Sequence, residues 1–227
     1  KPRRTDVRRN APDGARGGCK VSAAGASGDH DEGGAVNSIV AALCVARNSI
    51  YKSIDGVDCY DIDRDVRTFS GGCQVVAHPP CRSWSAYTAH QAKPIPGEKE
   101  LGPLCVDILR RNGGVLEHPA HSRLFDATGM PQPGRRIGDL MTIAVSQAWW
   151  GYPMLKMTWL CFCGVDLRDL EIPFVEHDSR SGVGDRRRQQ LMSKHQRSAT
   201  TPACAWWLVN AARKSEMRAL ARGEVVR

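Results

Sequence analysis

QVVAHPPCRSWS, residues 74–85, divides into a short apolar run and a stiff exit from it. Residues 74–77 read as a buried strand reaching its carboxyl end. Pro79 and Pro80 have fixed φ and no amide hydrogen, so the chain leaves that strand extended. His78 precedes a proline and is thereby kept out of the helical region. Cys81 follows directly, then Arg82, Ser83, Trp84 and Ser85. Ligands of open α/β sheets gather beyond the carboxyl ends of the strands, which makes a thiol at this tip a candidate reagent. The competing reading packs Cys81 against Trp84 as one of nine cysteines in the chain.

Downstream, residues 99–112 carry Leu101, Leu104, Cys105, Ile108 and Leu109 at helical spacing. Pro103 falls in the first turn, and Asn112-Gly113 is a stop. Residues 114–117 then read as a short strand ending in a second proline turn, Glu117-His118-Pro119. Strand, helix and strand make a βαβ unit, whose right-handed crossover puts both strand tips on one edge of a parallel sheet. Cys81 and Glu117 are therefore expected to face one cleft. Upstream, residues 38–46 are either a first buried strand or a short helix, 47–56 a connection and 57–61 a second strand. Asp61 and Asp63 follow that strand, where acids contact ribose hydroxyls or belong to a solvated turn.

Beyond the unit, residues 125–138 read as a Gly/Pro-rich loop. Residues 143–150 and 158–165 read as a pair of strands, and 166–194 as a loop. Thr201-Pro202 is an N-cap with proline at the first helical position, opening a helix over about 203–221. Residues 1–36 lack periodicity and large apolar side chains, so disorder is expected there. No apolar run reaches the roughly 18 residues of a transmembrane helix. The nine cysteines are odd in number and sit mostly in apolar runs, which suits free thiols in a reducing cytoplasm.

Charge is uneven. Residues 1–36 carry 7 basic and 5 acidic side chains, residues 37–179 carry 14 and 16, and residues 180–227 carry 11 and 3. The last segment thus holds a net +8 on a nearly neutral body. The expected partner is a polyanion, DNA first, met at its phosphates by Arg186, Arg187, Arg188, Lys194 and Arg197. A solvated helix face and tail is the rival.

The order of these motifs resembles the cytosine-C5 DNA methyltransferases. In that family a strand ends in a Pro-Pro-Cys segment followed by a polar residue and an aromatic-Ser pair. Pro79-Pro80-Cys81-Arg82-Ser83-Trp84-Ser85 is similar. The family's next strand ends in a Glu-Asn-Val turn, and Glu117-His118-Pro119 takes that place with the Glu kept. Its Gly-x-Pro turn, paired arginines and following strand are answered in weakened form by Gly151-Tyr152-Pro153, Lys156 and Thr158. The likeness spans about residues 57–165, and the whole chain also looks like small bacteriophage and prophage proteins. The resemblance implies that Cys81 adds to C6 of a flipped base while Glu117 stabilises N3. It implies base contacts from His78, Pro80, Arg82, Ser85, His118 and Lys156, and S-adenosylmethionine as donor beside Asp61 or Asp63. Arg82 and His78 are near enough in sequence to favour a thiolate at Cys81.

The chain also departs from that family. The glycine-rich loop for S-adenosylmethionine is missing, and the stretch after Val165 is too short for the large target-recognition domain. The expected architecture is an α/β fold, a reduced Rossmann-like methyltransferase core over residues 37–179. It lies between the segment 1–36 and a basic C-terminal helical extension, 180–227. Two other classes stay open: a pyrimidine-modifying thiol enzyme with a different donor, and a non-catalytic nucleic-acid-binding protein that keeps the base pocket. His78, Cys81, His118 and His121 are a further candidate set for zinc, or simply mark strand-capping turns.

Overall fold

Val40–Leu43 and Gln74–Ala77 are buried at every residue, as strands covered on both faces must be. In the computed structural model, which describes residues 39–87, 89–93, 95–173, 192–193, 196 and 199–215, they are β1 and β3 of a seven-stranded mixed sheet. The others are β2 (Val57–Cys59), β4 (Gly114–Pro119), β5 (Arg136–Ile137), β6 (Leu140–Ser146) and β7 (Met157–Cys163). The segment 1–36 and the basic residues Arg186, Arg187, Arg188, Lys194 and Arg197 lie outside the described residues.

The sheet runs β2-β1-β3-β4-β7-β6-β5. The first four strands are parallel neighbours, and the last three join antiparallel. The chain steps from β1 outward to β2, then returns to the other side of β1 for β3. Strand order therefore reverses between β1 and β3, which is where parallel sheets open a crevice.

Side chains alternate across the strands and feed two layers. Val40, Ala42, Val76, Val115 and Phe162 pack with Cys204, Ala205, Leu208 and Val209 of α3 (Pro202–Arg213). The alternate set faces α1 (Leu101–Asn112), whose Cys105, Val106, Ile108 and Leu109 are buried. Among the described residues, no helix is long and apolar enough to cross a membrane.

Three expectations need correction. Residues 125–138 are not all loop: Leu124 and Phe125 drop into the core and start α2 (Leu124–Thr128), which the left-handed Gly129 ends. β6 begins at Leu140 and stops at Ser146, whose hydroxyl accepts from the Ala148 amide and starts a 3-10 turn, Gln147–Trp150. α3 ends at Arg213, and residues 216–221 of the expected helix lie outside the described residues. Ser215 then turns inward, donating to the Cys163 carbonyl at 2.7 Å while its own carbonyl accepts from Gln74 at 3.2 Å.

Candidate functional site

The register of β3 against β4 builds the centre of the site. Ala77 pairs with Leu116, so the next residues along, His78 and Glu117, come side by side. His78 Nδ1 lies 3.0 Å from Glu117 Oε2, and the two side chains are 13% and 12% exposed. His78 Nε2 is 2.8 Å from the hydroxyl of Tyr51, delivered by the 3-10 turn Ile50–Ser53. On the other side, Gln147 Nε2 donates to Glu117 Oε1 at 2.9 Å and to Thr158 Oγ1 at 3.1 Å. Five side chains thus form one chain of hydrogen bonds, Tyr51–His78–Glu117–Gln147–Thr158. It closes when the Tyr51 hydroxyl donates to Nε2 and Nδ1–H donates to the carboxylate.

Charge then decides which groups are reactive. Burial pushes Glu117 up, but the His78 hydrogen bond and charge, then Lys156 and His118, bring it down to about 2. Glu117 is therefore a carboxylate at neutral pH, with both oxygens engaged. Tyr51 goes the other way: burial, then Cys204 and Glu117, raise it well above the usual phenol range.

Cys81 comes to the same sheet edge, close enough to Glu117 and Lys156 to feel both charges. Cys81 is exposed at this edge. Trp84 is instead buried over α1, its indole N–H donating to the Lys99 carbonyl at 3.2 Å. Crowding by neighbours and then the charge of Glu117 raise the Cys81 thiol above its ordinary range, against weaker pulls from Lys156 and Arg82. The thiolate expected from Arg82 and His78 is not favoured. His78 is committed to Glu117 and Tyr51, and Arg82 pairs with Glu98 at 3.2 Å.

The remaining expected contacts divide. Lys156 acts on the site through its charge, which lowers both Glu117 and Cys81, while its ammonium donates to the Ala199 carbonyl at 3.2 Å and stands 5.0 Å from the Tyr152 ring centre. Pro80 lines a neighbouring cavity. The Ser85 hydroxyl accepts from the Tyr87 amide within its own loop. His118 is 1% exposed and, as the strand residue after Glu117, points to the opposite face; it is not placed to touch a base. Its nearest acceptors are the Pro79 and Pro80 carbonyls, yet neither ring nitrogen makes a hydrogen bond of ordinary geometry. The His121 ring lies tilted against Trp159, with centroids 5.2 Å apart. The proposed zinc set does not assemble, and among the described residues no three His, Cys, Asp or Glu side chains are grouped as metal ligands would be.

Beyond the carboxyl ends of β1 and β3, at the order reversal, lies a cavity of about 310 Å³. Val45, Ile62, Val66 and Ile95 form apolar walls, with Cys44, Asp61, Asp65 and Glu98 as polar groups. Asp61 accepts from Lys52 at 2.5 Å and from the amides of Asp63 and Arg64; the Lys52 bond is the largest of the causes that lower it to about 2. Asp63 is exposed and paired with Arg47 at 2.6 Å, away from this wall.

Tyr51 and Gln147 are the members that sequence reasoning missed, and Thr158 was marked only as part of a weakened family motif. The one available signal was a glutamine directly after the apolar run of β6. Comparison of the chain with protein-family models, with curated proteins and with solved structures finds no match.

Proposed function

We propose that this chain modifies a pyrimidine base of DNA by a cytosine-C5 methyltransferase-like transfer, on a reduced Rossmann-like core and in a phage or prophage setting. The observation that carries the reading is that Cys81 follows β3 and Glu117 sits toward the end of its parallel neighbour β4, within electrostatic reach of each other and of Lys156, near a cavity at the reversal of strand order. Cys81 adds to C6 of the base, and Glu117 meets the N3 edge with Oε1 in place of Gln147. His78 keeps hold of Oε2 and is the nearest source of a proton for that edge. Base flipping costs a few kcal/mol, which contacts in the pocket must offset.

An S-adenosylmethionine-class donor would supply the transferred group from the cavity. Asp61 stands on its wall, with three of its roughly four acceptor positions already used. The basic stretch 180–197 supplies charge for the DNA phosphates.

A second reading, a base pocket that binds without reacting, is favoured by the raised Cys81 thiol and the fully engaged Glu117. One experiment separates them. Duplex DNA containing 5-fluorocytosine, incubated with the protein and S-adenosylmethionine, should yield a covalent adduct that survives denaturation. Cys81→Ser should abolish it and Cys105→Ser should not. Binding without any adduct selects the second reading, and an adduct that persists in Cys81→Ser removes Cys81 from the role.

A further inference from the structure

Cys44 and Cys105 are 61 residues apart in the chain, yet their sulfurs lie 3.6 Å from each other. The backbone at Cys44 explains how. Alternation along β1 would send the residue after Leu43 toward the α3 layer. Cys44 instead has φ 57°, one of two non-glycine residues in the left-handed region among those described. That conformation is costly for a side chain with a Cβ and turns the residue out of the strand pattern. Its thiol meets Cys105 of α1, on the other face.

The two thiols differ in access. Cys105 is fully buried, whereas Cys44 is half-buried and lines the cavity beyond β1 and β3. A small hydroperoxide entering the cavity therefore reaches Cys44 first and finds Cys105 directly behind it.

We propose that Cys44 and Cys105 are a redox site, in which a hydroperoxide converts the pair to a disulfide and so resets the wall of the switch-point cavity. Cys44, as thiolate, attacks the terminal peroxide oxygen, the O–O bond breaks, and the departing oxygen takes a proton and leaves as water from hydrogen peroxide or as the alcohol from an alkyl hydroperoxide. The product is a sulfenic acid at Cys44. Cys105 then attacks the Cys44 sulfur as its thiol proton leaves, and the expelled hydroxide takes a proton to give water. Two thiols are oxidised by two electrons and one hydroperoxide is reduced. The sulfurs must close from 3.6 Å to about 2.05 Å. Cys44 withdraws from the cavity toward α1, and the link ties the end of β1 to that helix. A dithiol reductant reverses the change.

The test uses the full chain with Cys81→Ser, which removes the exposed competing thiol. After near-stoichiometric hydrogen peroxide, free thiols are alkylated, the protein is digested without reductant, and peptides are mapped by mass spectrometry. The expected result is a cross-linked peptide pair containing Cys44 and Cys105, loss of two titratable thiols per chain, and recovery of both with dithiothreitol. In Cys105→Ser, dimedone should trap a sulfenic acid at Cys44. Hydrogen exchange of the oxidised protein should change over residues 44–47 and 95–101. Recovery of Cys44 and Cys105 as separately alkylated peptides, or Cys44 passing to sulfinic acid unlinked, overturns the site. A cross-link that leaves exchange around the cavity unchanged overturns the effect on its wall.

Discussion

His78 and Glu117 are 39 residues apart in the chain and 3.0 Å apart in the fold, each the first residue past a matched pair of strand positions. Their contact holds an ionised carboxylate in a nearly closed site. Removing the imidazole leaves that carboxylate with Gln147 as its one remaining hydrogen-bond donor, and an undercompensated buried charge is strongly destabilising. His78→Ala is expected to cost about 3 kcal/mol. Glu117→Gln, which removes the charge itself, should cost less. Urea unfolding at pH 7 compares them, and equal losses would show that the buried carboxylate charge is not what His78 stabilises.

Glu117 and His118 are neighbours in β4 but respond to acid in separate windows. His118 is lowered from 6.5 to about 4, with burial as the largest cause. A folded pKa below the unfolded one means that protons bind the unfolded chain first. The stability tied to His118 is therefore whole above about pH 6.5 and is lost as pH falls toward 4. The same sign applies to Glu117, lowered from 4.5 to about 2, whose contribution fades between those values. Acid destabilisation should come in two stages. His118→Leu should flatten the first stage, worth about 3 kcal/mol, and leave the second. At pH 7 the variant should lose little, because it also removes two unpartnered buried ring nitrogens. Urea midpoints from pH 7.5 to 3 measure the difference, and a variant with the same slope from 6.5 to 4 would exclude His118 as the cause.

Gly114 sets how closely β4 approaches β3. A Cβ there would stand 2.1 Å from the Val75 carbonyl oxygen and 2.8 Å from the Val75 nitrogen, at φ +119°. Backbone cannot yield as a side-chain tip does, so Gly114→Ala must push the strands apart and separate His78 from Glu117. The expected loss exceeds about 4 kcal/mol. Gly129→Ala is the control. It also has positive φ, but nothing lies within 4 Å, and a loss of about 1 kcal/mol is expected. Thermal unfolding of both variants checks the ranking.

Local signals carried the βαβ unit. β3 spans the residues its apolar run and proline pair marked, and α1 begins two residues inside the range its spacing indicated, 99–112. A parallel crossover from β3 to β4 puts the carboxyl ends that carry Cys81 and Glu117 on one edge of the sheet. The partners of Glu117 were not legible in the same way. Gln147 reaches it from 30 residues away because β7 and β6 turn antiparallel onto β4, and the strand-pair reading carried no direction. Tyr51 arrives from a short turn with no periodic signal of its own. The pull of Arg82 on Cys81 is present but outweighed by crowding and by Glu117, and sequence proximity does not reveal that Glu98 already holds that guanidinium.

The charges around Cys81 make its reactivity a readout of the site that needs no substrate. Only the thiolate alkylates, so the rate near neutrality follows the thiolate fraction. Glu117 raises the thiol and Lys156 lowers it. Glu117→Gln should therefore bring the Cys81 pKa down and speed labelling by iodoacetamide at pH 7.5 by about 3-fold or more, and Lys156→Met should slow it. His78→Asn tests whether the effect is charge or disorder: it keeps Glu117 ionised, so labelling should not speed up as it does in Glu117→Gln. Rates from pH 6 to 10, read by mass spectrometry of the Cys81 peptide, give the pKa of each variant. If Glu117→Gln leaves that pKa in place, Cys81 and Glu117 do not share a site, and the proposed division of labour between them falls with it.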